Sequence, residues 1–172
     1  MAAGDLSRPS GIGRSYIPLN LICGPPGAGK SAYVRAHAQP RDLVLCFDEL
    51  ARQMFGRGRA APERVGATLT DKQVFAVLEE RNRLLADLAR PDTSLRWRWA
   101  WLIALEPIAE HREWWARTMG ARVFVLPTPA DECLRRIQAD TTAGDDRGPR
   151  AADLVRSWWS TYRPAACDRE AT

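Results

Sequence analysis

Gly24-Pro25-Pro26-Gly27-Ala28-Gly29-Lys30-Ser31 is the stretch on which the reading of this chain turns. It fits the pattern G-x-x-x-x-G-K-[ST], and its flanks fit as well. Before it runs Ile17-Pro18-Leu19-Asn20-Leu21-Ile22-Cys23, a short apolar segment that reads as a buried strand. After it comes a helical stretch ending near Pro40. A chance match is conceivable in a chain rich in Gly and Ala, but a strand before and a helix after argue against it. The glycines allow the backbone to turn successive N–H groups inward around phosphate oxygens. The helix that follows adds unpaired N–H groups and a positive dipole end. Gly24, Pro25, Pro26, Gly27, Ala28, Gly29, Lys30, Ser31 and Ala32 are therefore the predicted cradle for a nucleoside triphosphate, read as ATP. Lys30 is expected to neutralise the outer phosphates, and the Ser31 hydroxyl to ligate magnesium.

A second constellation follows one helix and one strand later. Val44-Leu45-Cys46-Phe47 leads into Asp48-Glu49, so an acid leaves the end of a buried strand, the edge where α/β sheets bind ligands. Asp48 has two functional readings: it holds magnesium, directly or through water, or it acts as general base on an attacking hydroxyl. The plain alternative is an N-cap for a short turn running towards Met54. Glu49 is open between the same choices. Glu106 is a rival acid, at the end of Trp101-Leu102-Ile103-Ala104-Leu105, but the following Pro107 makes helix entry its simpler reading.

Outward from these motifs the chain alternates strands and helices. Asp42–Phe47 reads as the second strand, Arg52–Thr70 as a loop, and Asp71 to Pro91 as a helix with apolar residues at helical spacing. Trp97–Leu105 reads as the third strand. A helix from Pro107 to Met119 follows, with Gly120 as its cap, then a fourth strand over Arg122–Leu126. Helices over Pro129–Gln138 and Arg150–Tyr162 complete the pattern, separated by a polar segment, Ala139–Pro149. This alternation predicts a three-layer α/β sandwich of the P-loop NTPase kind, with a mostly parallel sheet of four to five strands. Residues 1–15 read as a flexible tail, residues 16–172 as one domain, and the segment around 139–150 as a lid.

Arginines flank that segment. Arg135, Arg136, Arg147 and Arg150 are placed to supply at least one phosphate contact from a closing lid, with Arg136 and Arg147 the catalytic candidates. Each taken singly is more simply a structural or solvated charge, and Arg135 and Arg136, on a helix, could equally be solvated or paired with Asp131 or Asp140. Arg52, Arg57, Arg59 and Arg64 either line an acceptor site or are plain loop charges. Trp97, Trp99 and Trp101 alternate, which puts them on one face of a strand as core; a base-stacking platform is the rarer use of such a pattern.

The bulk properties bound the function. One domain fits 172 residues, 45% of them hydrophobic. A net charge of +4 and a pI near 9.2 suit phosphate-bearing partners. The basic residues apart from Lys30 and Lys72 are Arg, a bias that composition alone can produce. Cys23, Cys46, Cys133 and Cys167 are widely spaced without a C-x-x-C pair, which predicts free thiols in a reducing compartment. No run approaches the ~20 apolar residues of a membrane span, so a cytoplasmic protein is expected.

On Gly24–Ser31, Asp48 and the arginines between 135 and 150, the chain resembles the P-loop kinase group that includes polynucleotide kinases and zeta-toxin kinases. That resemblance implies that Asp48 deprotonates a 5′-hydroxyl acceptor. Glu106-Pro107, Trp115, Cys133, Arg136, Asp140 and Trp158-Trp159 also resemble features of small ATP-binding proteins of tailed bacteriophages. Two functions follow as expectations. The first is an ATP- and magnesium-dependent kinase acting on a nucleic-acid 5′-end, a nucleotide or another small acceptor. The second is an ATP-binding or ATPase accessory module in phage DNA metabolism or packaging, without an acceptor.

Overall fold

The computed structural model describes residues 8–9, 11–56, 69–140 and 147–171. Its frame is a five-stranded parallel sheet with the order β2-β3-β1-β4-β5. The strands are β1 (Leu19–Cys23), β2 (Leu43–Cys46), β3 (Ala100–Ala104), β4 (Arg122–Val125) and β5 (Asp168–Glu170). The helices are α1 (Lys30–His37), α2 (Phe47–Phe55), α3 (Asp71–Asp87), α4 (Thr93–Arg96), α5 (Ala109–Trp114), α6 (Ala130–Asp140) and α7 (Arg147–Thr161). Parallel pairing forces each connection to cross a sheet face, which is why helices cover both sides.

Alternation along the strands divides the core into two faces. Leu19, Leu21, Cys23, Leu45, Ala100, Leu102, Val123 and Val125 point to one face and pack with Leu85 and Leu88, with Trp115 and Met119, and with Trp158 of α7. Ile22, Trp101, Ile103 and Phe124 point to the other, under Tyr33 and Val34 of α1. A smaller cluster of Ala28, Cys133 and Val155 joins the glycine loop to α6 and α7. Burying each large aliphatic side chain contributes about 1.5–3 kcal/mol, so this double-sided packing dominates the stability.

Several elements depart from the sequence reading. The expected single tryptophan face is corrected: Trp99 and Trp101 pack with α1, whereas Trp97 precedes β3 and packs into the opposite core. Trp101 Nε1 donates to Asp42 Oδ2 at 3.0 Å. Helix α2 starts directly after β2, so Arg52–Phe55 is helical and not loop; residues 57–68 lie outside the described set. Helix α3 opens on a capping box in which Thr70 accepts from Gln73 N–H and Gln73 Oε1 accepts from Thr70 N–H at 2.9 Å. The helix expected up to Met119 widens into a π-helical turn over Trp115–Met119, and Gly120 closes it at φ 71°. Helix α7 begins at Arg147, three residues earlier than expected. Strand β5 has no counterpart in the sequence reading; its three polar residues pair with β4. Within the N-terminal segment Ile12 packs against the core and Ser15 N–H donates to Met119 O at 3.1 Å.

Candidate functional site

The glycine loop lies between the C-terminal end of β1 and α1, hard against two neighbours. Gly24 has φ 155°, and a Cβ there would stand 2.8 Å from Leu126 O. Gly27 has φ 75°, and a Cβ there would stand 2.6 Å from Cys133 O on α6. Side chains at either position would meet backbone, which cannot step aside. Thr128 Oγ1 donates to Ala28 O at 3.1 Å and ties the loop to the β4–α6 connection. Helix α1 starts at Lys30 after Gly29 at φ 93°. Ser31 and Ala32 therefore sit in its first turn, where N–H groups lack helical partners and favour anions.

The Lys30 ammonium donates to Gly24 O at 2.8 Å and Pro25 O at 2.7 Å. Burial lowers its pKa from 10.5 to about 8, against a smaller opposing pull that includes the Asp48 carboxylate. The loop opens on a cleft of about 980 Å³ that runs along the C-terminal edge of the sheet. Lys30, Ser31, Asp48, Glu106, Arg135 and Arg136 all line it.

Asp48 is exposed in the first turn of α2. The N-cap of that helix is Cys46, with no side-chain cap, so the capping alternative for Asp48 is not what the fold uses. Its carboxylate makes no hydrogen bond or ion pair among the described residues. Glu49 is engaged on the helix surface with Arg52 and with Gln53, whose Nε2 donates at 3.0 Å. That pairing also turns Arg52 to a local partner, while Arg57, Arg59 and Arg64 lie outside the described residues.

Arg136 reaches the loop: its Nη1 donates to Gly27 O at 3.4 Å and its Nε to Glu132 Oε1 at 2.7 Å. Arg135 shares Glu132 and stands farther out, with a side chain 72% exposed. Arg147 opens α7, and its side chain lies outside the described residues, as do residues 141–146 of the segment expected to form a lid. Arg150 is exposed on the same helix.

Glu106 differs most from its sequence reading. The next helix is capped by Ile108 without a side-chain bond, so Glu106 does not serve helix entry. It faces the cleft with a side chain only 10% exposed. Its Oε2 accepts from Trp115 Nε1 at 2.9 Å, and His111 Nδ1 lies 3.3 Å from Oε1. An acid at this strand end, lining one cleft with Ser31 and Asp48, has the chemistry to hold magnesium through water or to orient an attacking water. Arg35 and Arg81 also line the cleft. Arg35 lies four residues after Ser31, so helical spacing had the signal for it; Arg81, on α3, is brought in by tertiary packing alone.

A glycine loop closing on a helix N-terminus, an inward lysine and acids along one parallel-sheet edge define a P-loop nucleotide-binding protein. The family model described as AAA domain matches residues 19–158, and the chain belongs to that family. Nucleotide binding, with hydrolysis or transfer of phosphate, is the activity of that class. Among solved structures, the chain is similar to TT1252 from Thermus thermophilus, at 22% identity over 86% of this chain and 81% of that one, with a TM-score of 0.41. No curated protein matches.

Proposed function

We propose that this chain is an ATP- and magnesium-dependent phosphotransferase that moves the γ-phosphoryl group to a hydroxyl or phosphate acceptor, with a nucleic-acid 5′-end or a nucleotide preferred and a cytoplasmic location. The observation that carries the reading is Asp48: an exposed carboxylate with no hydrogen bond or ion pair among the described residues, in the same cleft as Lys30 and Ser31, on the far side of β3 from the loop. The cleft is at the upper end of the usual ligand-pocket range of about 300–1,000 Å³, which leaves room for a second reactant beside a nucleotide.

The residues of the loop fit the triphosphate: glycine at 24 and 27 lets the loop pack directly on Leu126 and α6, and Lys30 brings a cation to it. Ser31 would hold magnesium, with Asp48 and Glu106, which line the same cleft, reaching it through water. Magnesium supplies charge neutralisation between the phosphates. Asp48 accepts the proton of the acceptor hydroxyl, and Arg136, anchored on Glu132 and on the loop, steadies charge on the phosphoryl oxygens, a role shared with Arg147.

Transfer of labelled γ-phosphate to 5′-hydroxyl DNA and RNA, nucleosides and nucleoside monophosphates, with Lys30→Ala as blank, tests the reading. Label on an acceptor that is absent from the blank supports it. Asp48→Asn is expected to keep ATP affinity and to lose transfer by about 10²–10⁴-fold; unchanged transfer removes Asp48 as base. Glu106 favours a second reading, ATP hydrolysis in an accessory module, because an acid beside the loop can orient water instead of an acceptor. Free phosphate without labelled acceptor is the outcome that selects it.

A further inference from the structure

Glu106 holds a backbone conformation that L residues rarely adopt, φ 31°, the one positive-φ non-glycine residue among those described. Such strain persists only where the surroundings over-determine it. Here they do. Arg112, fully buried, donates from Nη1 to Glu106 O at 2.9 Å. The rest of the same guanidinium is committed to the C-terminal strand and the connection before it: Nε to Asp168 Oδ1 and Nη2 to Asp168 Oδ2, both at 2.8 Å, with Nη2 also donating to Arg163 O at 2.6 Å. The preceding residue is pinned as well, since Leu105 O accepts from Trp158 Nε1 at 2.6 Å and from Gly24 N–H of the phosphate loop at 3.4 Å. The carboxylate end is set by Trp115 and His111.

Resting on the nucleotide-handling site described under Proposed function, we propose that Arg112 is a positioning residue for Glu106, and that Asp168 of β5 is the part that orients Arg112. The geometry is that of a fork. One edge of a planar guanidinium is fixed bidentately by Asp168, which leaves Nη1 only one direction in which to hold the Glu106 carbonyl. A strand of three polar residues thereby sets where a cleft carboxylate points. Loss of an orienting partner behind a working group typically lowers affinity or activity about 10–100-fold.

The test uses the full chain and four variants: Asp168→Asn, Arg112→Lys, Glu106→Gln and the Glu106→Gln/Asp168→Asn pair. The first readout is the ¹⁵N–¹H indole resonance of Trp115, which reports its bond to Glu106 without any turnover; Trp101, bonded to Asp42, is the internal control. Asp168→Asn is expected to move the Trp115 resonance in the direction of Glu106→Gln while leaving Trp101 in place. Turnover, counted as transfer plus phosphate release, is expected to fall at least about tenfold with ATP affinity held within about twofold. The pair is expected to be no slower than Glu106→Gln alone, because both changes act through one carboxylate. A Trp115 resonance unmoved in Asp168→Asn, or losses that add in the pair, overturn the proposal. Should Asp168→Asn not fold, Arg112→Lys carries the same readouts, keeping the charge and losing the fork. A wild-type protein with neither transfer nor hydrolysis defeats the phosphotransferase reading alone, since the indole resonance still decides the role of Arg112.

Discussion

Lys30 sits where burial and function oppose each other. Held among backbone carbonyls and partly out of water, its ammonium has a pKa lowered from 10.5 to about 8. Below about pH 8 it is charged in both folded and unfolded chains, and the burial cost is carried in full. The unfolded chain binds the extra proton between about 8 and 10.5, so this group makes stability rise with pH across that window. Triphosphate binding reverses the preference, because phosphate charges favour the ammonium. ATP affinity is therefore expected to be flat up to about pH 8 and to fall by up to about tenfold per pH unit above it. Titration calorimetry at several pH values checks this, and a Lys30→Arg variant that binds should lack the fall. Gly27 is a second residue-scale test. Gly27→Ala meets Cys133 O and an unfavourable φ together, a cost of about 1–3 kcal/mol by denaturant unfolding. ATP affinity in that variant is expected to drop at least about tenfold, since the loop can relieve the contact only by leaving α6.

At the scale of elements, α7 links core and site. Trp158 is 2% exposed, stacks on Tyr162 with ring centroids 4.5 Å apart, and donates its indole proton to Leu105 O. Trp158→Ala is expected to cost about 3–5 kcal/mol in urea unfolding. Trp158→Phe keeps most of the apolar area and loses the hydrogen bond, at about 0.5–1.5 kcal/mol, since Leu105 O retains the Gly24 N–H as donor. A loss in the Phe variant equal to that in the Ala variant would show that the hydrogen bond outweighs packing. Elements also show where sequence reading stopped. Strands β1 to β4 were legible because each is a dense apolar run bounded by Gly, Pro or Asp. Helix α3 was legible from apolar spacing. The π-helical turn was not, since Trp115–Met119 continues a helical pattern and widens only as Trp115 and Met119 both enter the core.

For the whole molecule, the phosphate loop is gripped by three parts of the chain: Leu126 beside Gly24, α6 beside Gly27 and the Thr128 hydroxyl on Ala28. A ligand seated in the loop stabilises the entire domain by mass action. Magnesium and ATP at about 100 times Kd should add about 2.7 kcal/mol, raising Tm by roughly 5–10 °C for a domain of this size. Lys30→Ala should show no such rise in thermal melting at the same ligand concentration. The phosphate loop and the parallel α/β layering are written in residues close together along the chain, whereas Asp48, expected at the end of a strand, lies in the first turn of α2. Only the tertiary structure decided that Glu106 faces the cleft, that Arg81 joins it and that β5 exists at all. Arg112 and Asp168 are 56 residues apart, and no local spacing or periodicity encodes a bond between side chains that meet only when the sheet has closed.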